Sequence, residues 1–306
     1  MRDPSPHRAA AGAGPAFAFG FCCLVWGSTF LFIAIGNDSL APVWAGALRL
    51  AVAAVVLALA AVVTRRPWPR GRELSTAVWF GFVDFGISLP LLYWGQRRMS
   101  SSAAGVVFAT IPLATLCFAR MFGLERLSRM KIAAAIAGLG GVALLSLGPS
   151  AGGSGAIALA AVTLSAVTAA LSGVILKRAP YSDPVAMNAI AHTAGAAVCF
   201  PLSMAMGERW ALPAGSGLVS FLYLTLFGSI GVFVVFAWLV RHWSASRVSY
   251  ITIVTPVVAM ALGVGLRGER LAPNTLLGAT IVMGAVAVAM VAERRGGAGH
   301  TAVARD

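Results

Sequence analysis

Three ionisable residues, Arg49, Asp84 and His192, each stand well inside a long apolar run of the chain. A charge at the centre of a bilayer costs roughly 3 kcal/mol on insertion scales, so such a group must face a cavity or a partner. Asp84, in Val83-Asp84-Phe85, could carry a proton or hold a cationic group; the competing reading is a protonated or paired carboxyl that fixes helix packing. Arg49 lies about seven residues, or about 10 Å, from the start of its run, and is read as a structural charge that snorkels or pairs. His192 is either a pH-responsive group or a neutral imidazole bonded inside the bundle. A lone histidine makes no metal site, and neither a metal nor a cofactor is expected.

Neutral groups at similar depth complete the candidate set. Trp26, Ser28 and Thr29 lie together on one run, with Trp26 far from the interfaces that membrane tryptophans favour. Thr110 and Thr255 flank two prolines, Pro112 and Pro256, and Tyr250 and Thr252 come earlier on the second of these runs. These prolines are expected mid-helix, where each removes a backbone hydrogen bond and produces either a hinge or a static kink. Glu125 and Glu269 follow the proline-bearing runs and precede the next ones, where negative charge suits a helix N-terminus; both are read as structural. Tyr93, Trp94, Gln96 and Trp238 lie nearer the ends of their runs, and Trp94 and Trp238 read as interfacial belt residues.

The elements that position these residues follow from composition. Hydrophobic residues make up 59% of 306 and charged residues 11%, against about 25% charged in a soluble domain. Ten runs reach the ~20 apolar residues of a membrane-spanning helix: 16–36, 43–64, 74–95, 101–121, 130–147, 155–176, 185–206, 216–240, 246–266 and 274–292. The first is too long for a signal-peptide core and reads as a spanning helix. The cysteines, Cys22, Cys23, Cys117 and Cys199, all fall inside runs and read as small packing residues. The net charge of +13 does not indicate nucleic-acid binding, because the basic residues sit in short loops without interleaved aromatics. Seventeen of the 23 Lys and Arg residues fall on the side of the N-terminus and five on the other, with Arg49 between. That bias predicts both termini in the cytoplasm and a multi-pass cell (inner) membrane location.

The chain also repeats itself. Pro112…Glu125-Arg126-Leu127 recurs as Pro256…Glu269-Arg270-Leu271, an offset of 144 that also pairs Trp94 with Trp238, Arg97 with Arg241 and Gly140 with Gly284. Residues 1–150 and 151–306 therefore read as two five-helix repeats. Because five is odd, the second enters the membrane inverted. The predicted fold is an all-α integral membrane bundle of ten transmembrane helices in two inverted repeats.

Trp26-Gly27-Ser28-Thr29-Phe30, then Pro42, then Ala47-Leu48-Arg49, resembles the opening of EamA-type proteins of the drug/metabolite transporter superfamily, and the Pro…Glu-x-Leu…Gly pattern closing each half is similar to the EamA repeat. The resemblance spans about residues 16–292. It implies a ten-helix inverted repeat that exports amino acids, related metabolites or drugs. The chain departs from it at Ala34, where many relatives carry lysine, and at Ala166, where many carry tryptophan.

A secondary transporter working by alternating access is the leading expectation, with a small-molecule substrate and the lipid bilayer as partners; a homodimer is left open. The alternatives are a non-transporting scaffold or sensor, and an intramembrane enzyme. The chain carries no nucleotide-binding P-loop and neither a His-Glu-x-x-His nor a Gly-x-Ser-x-Gly motif.

Overall fold

The structure, a computed structural model, describes residues 13–123, 128–145, 153–178, 180, 182–243, 248 and 250–303. All regular elements among the described residues are helical: α1 (Ala13–Asn37), α2 (Pro42–Val63), α3 (Arg72–Gly81), α4 (Leu89–Gln96), α5 (Ser101–Phe108), α6 (Ile111–Met121), α7 (Arg129–Leu145), α8 (Gly153–Lys177), α9 (Pro184–Ala205), α10 (Gly215–Thr225), α11 (Val232–His242), α12 (Ile251–Arg267) and α13 (Pro273–Val303), with π-helical segments at Phe82–Ser88 and Leu226–Gly231. Eight spans among the described residues are long and apolar enough to cross a membrane, and α12 is a shorter apolar helix. α7 is 17 residues long. α13 continues past the predicted end at 292.

Local chemistry sets the helix starts. α9 opens on Pro184, whose missing N–H is no loss in the first turn, and Asp183 Oδ1 accepts from Val185 N (2.9 Å) and Ala186 N (3.3 Å). Ser100 caps α5 by accepting from Ala103 N. α2 also opens on a proline, but its N-cap, Ala41, has no side chain that could accept a hydrogen bond.

Two spans change pitch midway. α3 passes into the π segment Phe82–Ser88 before α geometry resumes in α4. Pro90 has no N–H to give the Phe85 carbonyl five residues earlier, and the Cys199 thiol donates to that oxygen instead (3.4 Å). The second π segment, Leu226–Gly231, begins 144 residues after the first, the offset of the sequence repeat. π segments within α-helices occur frequently at functional sites.

Packing then joins the two halves of the chain. α2 lies antiparallel to α9: its N-terminus meets Glu208, just past α9, and Arg66, just past α2, meets Asp183. α7 and α13 are also antiparallel. Asn274 donates to the Leu144 carbonyl (3.1 Å), and Gly141 and Gly278 bring their backbones so close that a Cβ on Gly278 would lie 2.6 Å from the Gly141 oxygen. Small residues at such contacts are how membrane helices gain van der Waals packing where lipid removes the hydrophobic drive. α5 runs antiparallel to α12, with Gly105 against Ala259 and Ser102 beside Gly263. A buried cluster that includes Phe30, Ile33, Tyr93, Val107, Val162 and Val282 fills the middle.

Candidate functional site

The centre of the site is Arg49. Its side chain is buried, with 6% of the residue exposed. Nε donates to Ser229 Oγ (2.8 Å) and Nη1 donates to Tyr93 Oη (3.2 Å). Nη2 lies against Gly228, where an added Cβ would come within 3.1 Å of it. Both Gly228 and Ser229 belong to the second π segment, so that segment presents bare backbone and a hydroxyl to the guanidinium. Arg49 borders a cavity of about 10 Å³, room for about one water, shared with Gly36, Leu40, Ala45, Tyr93, Ser220 and Leu224 among others. Its walls come from α1, α2, α4 and α10, and so from both halves of the chain. No carboxylate among the described residues forms an ion pair with Arg49.

Asp84 occupies the matching position of the first π segment, 144 residues before Gly228. Its Oδ1 accepts from Ser172 Oγ of α8 (2.8 Å). His192 is fully buried between Phe85 and Phe233, with ring centroids 4.3 and 6.2 Å away. Its Nδ1–H donates to the Asn188 carbonyl (2.8 Å), and its Nε2 has no hydrogen-bond partner.

The remaining candidates are dispersed. Ser28 bonds across to Tyr223 Oη (2.6 Å), and Tyr223 stacks on Phe32. Thr29 bonds to its own helix at Val25 O. Trp26 packs edge-on against Phe233 and Phe236. Thr110 is buried and bonds to Val107 O (2.6 Å). Tyr250 is 41% exposed at the start of α12, and Thr252 follows it, half-buried, in the first turn. None of these six borders the Arg49 cavity. Pro112 corrects the expectation of a mid-helix proline. The helix breaks at Ala109–Thr110, and Pro112 sits in the first turn of α6, where it removes no helical bond. Pro256 does lie inside α12. Glu125 lies outside the described residues. A wider groove of about 700 Å³ is lined almost wholly by apolar side chains, Val43, Ile87, Leu91, Ile157 and Leu164 among them.

The sequence comparisons fit this two-part build. The EamA-like transporter family matches residues 15–147 and again residues 156–291. The chain belongs to the EamA-like transporter family. It is 32% identical to the uncharacterized inner membrane transporter YedA of Escherichia coli strain K12, over 86% of each chain. It is 27% identical to a probable terminal-alkyne amino-acid exporter of Streptantibioticus cattleyicolor, over 89% of this chain and 91% of that one. A solved crystal structure of 19% identity shares the fold, with a TM-score of 0.62 over 93% of this chain and 99% of that one. The protein is thus a multi-pass membrane transporter of the EamA-like family.

In this EamA-like chain, the membrane face that holds Asp38, Pro42 and Ser100 is tied by carboxylates. Glu208 accepts from Val43 N (3.1 Å) and Trp44 N (2.7 Å), supplying the cap that Ala41 lacks, and also from Ser203 Oγ. Glu269 accepts from Ser101 N and Oγ (2.8 and 2.7 Å) and from Ser102 N and Oγ (3.0 and 2.6 Å). Burial works against ionisation of Glu269, but the bonds from Ser102 and Ser101 together outweigh it and hold the carboxyl below its ordinary value. Asp38 takes a two-pronged bond from Arg267 (2.8 Å each), which likewise holds it below the usual carboxylate range. Sequence reasoning missed Glu208. The available signal was a proline-led helix with no capping side chain before it.

Proposed function

We propose that this chain is a secondary transporter that exports small polar or amphipathic solutes (amino acids, related metabolites or drugs) by alternating access between two inverted five-helix halves. The observation that carries the reading is the Arg49 site. It places a buried cation beside a cavity, with one hydroxyl partner from each half, so closing or opening the halves remakes the site. The duplicated family match, the paired π segments and the antiparallel contacts between α2 and α9, α5 and α12, and α7 and α13 support the inverted arrangement. The Lys/Arg bias supports ten crossings with both termini in the cytoplasm. Amino acids rank first among solutes because one relative carries the name of a probable amino-acid exporter. Asp84 is the coupling candidate, since it is an ionisable group on a π segment that meets a single hydroxyl.

The test is flux from proteoliposomes loaded with a mixed pool of amino acids, metabolites and cationic drugs, read by mass spectrometry with and without a pH gradient. Selective loss of one solute class is expected, with gradient dependence removed in Asp84→Asn. Folded protein that releases nothing above empty liposomes from two successive panels overturns the transporter reading.

A further inference from the structure

Arg49 is a permanently charged group taken out of water without an opposite charge beside it. Burying a cation is tolerated when it is paired and its donors are used. Here the bonds go to two neutral hydroxyls, Ser229 and Tyr93, and Nη2 makes no hydrogen bond among the described residues. Two carboxylates of the bundle are engaged elsewhere. Asp84 accepts from Ser172, and Glu208 accepts from the first turn of α2 and from Ser203. The site thus offers a guanidinium with unused donors, two bonded hydroxyls and a cavity that in this arrangement has room for about one water.

We infer that Arg49, Tyr93 and Ser229 form a receptor for the carboxylate of the transported solute. This rests on the transporter reading above and narrows it to acids. A carboxylate matches the guanidinium fork with two parallel bonds, neutralises the one charge present, and leaves its lone pairs to the hydroxyls. A phosphate dianion would bring more charge than one arginine offsets, and an amine would meet like charge. Because Arg49 and Tyr93 come from the first half and Ser229 from the second, a bound carboxylate bridges the halves. Because the cavity in this arrangement has room for only about one water, the carboxylate enters as the halves part and the cavity widens.

The experiment uses the full-length protein in two formats. Proteoliposome flux is measured for L-amino acids, for their carboxamides and for small monocarboxylates. Melting of the detergent-purified protein is measured with the same compounds and with inorganic phosphate. The acids are expected to move at least tenfold faster than their amides and to raise the melting temperature of wild type, with both effects lost in Arg49→Gln. Tyr93→Phe and Ser229→Ala keep the arginine and guard against a misfolded Arg49→Gln. Each is expected to raise the KM for acids about three- to tenfold and leave melting without ligand within a few degrees. Acids and amides carried equally well, with less than a twofold change in Ser229→Ala and Tyr93→Phe, overturn the carboxylate receptor and leave the transporter reading standing. Acids that shift melting in wild type but not in Arg49→Gln, with no flux in any panel, uphold the receptor and overturn the transporter reading. A melting shift with phosphate alone, or with no compound, overturns the receptor.

Discussion

Asp84 and Arg49 both lie inside apolar spans of the first half, and both are ionisable groups, yet the fold treats them in opposite ways. Asp84 meets a hydroxyl on α8, a contact within the reach of a neutral or an ionised carboxyl. Arg49 has no neutral form to adopt, meets only hydroxyls, and is left beside a cavity. The π segments sharpen the contrast, since the position that holds Asp84 in one half holds Gly228 in the other. One half uses the site to place a charge, and the other clears it to admit one. The difference teaches that depth alone does not mark a solute site; what marks it is a charge whose donors the protein leaves unfilled.

The largest effect is expected at Arg49. Arg49→Gln should reduce solute flux at least tenfold, as befits loss of charge-assisted bonds worth roughly 1.5–3 kcal/mol each, and Arg49→Lys should restore only part, because an ammonium lacks the fork. Next comes Gly228→Ala. Its Cβ would press on Nη2 at 3.1 Å and should lower flux about three- to tenfold, by displacement of the guanidinium rather than by loss of charge. Asp84→Asn should keep the Ser172 contact and most of the flux measured without a gradient, while flux stops responding to pH. If it matched Arg49→Gln in the absence of a gradient, the contrast between the two sites would fail.

Smaller effects belong to the ties at the membrane face. The folded Glu269 carboxyl is held below its ordinary value of 4.5, so its contribution is present above the unfolded pKa and is lost as pH falls through the lower, folded one. Glu269→Gln should cost about 1 kcal/mol at pH 7, the usual worth of a helix cap, and should flatten the fall of melting temperature on acidification below about pH 4.5. Asp38→Asn should cost less than about 1 kcal/mol, since Asp38 is 57% exposed and its pair with Arg267 is screened by water and salt. Melting in low and high salt checks it: wild type should lose its advantage as salt rises.

The apolar runs made the helices legible, because a bilayer demands long unbroken stretches and short polar breaks. The repeat offset paired Asp84 with Gly228 but did not reveal the change of pitch around them, which at the first segment goes with Pro90 and a thiol from α9 far along the chain. Arg49 was visible as a charge in an apolar run. Its place at the centre was not, because Ser229 lies 180 residues away and only the packed bundle brings it near. The same gap explains Glu208, whose work is done at the start of α2. By contrast, Ser28, Thr29 and Thr110 attracted notice as polar side chains at depth, and the fold has each of them bonding to a carbonyl three or four residues earlier in the chain.

The capping of α2 by Glu208 and of α5 by Glu269 has a consequence for how the chain is made. Synthesis runs from the N-terminus, so α2 and α5 enter the membrane before residues 208 and 269 exist. Until then the first-turn N–H groups of Val43, Trp44, Ser101 and Ser102 lack their acceptors, and Arg49 lacks Ser229. A nascent first half is therefore an unfinished object whose buried cation has only Tyr93 as a partner among the described residues, and the second half completes it in the manner of a chaperone covalently attached to its client. A chain stopped near residue 150 should be recognised by membrane quality control, and separate synthesis of residues 151–306 alongside it should rescue it.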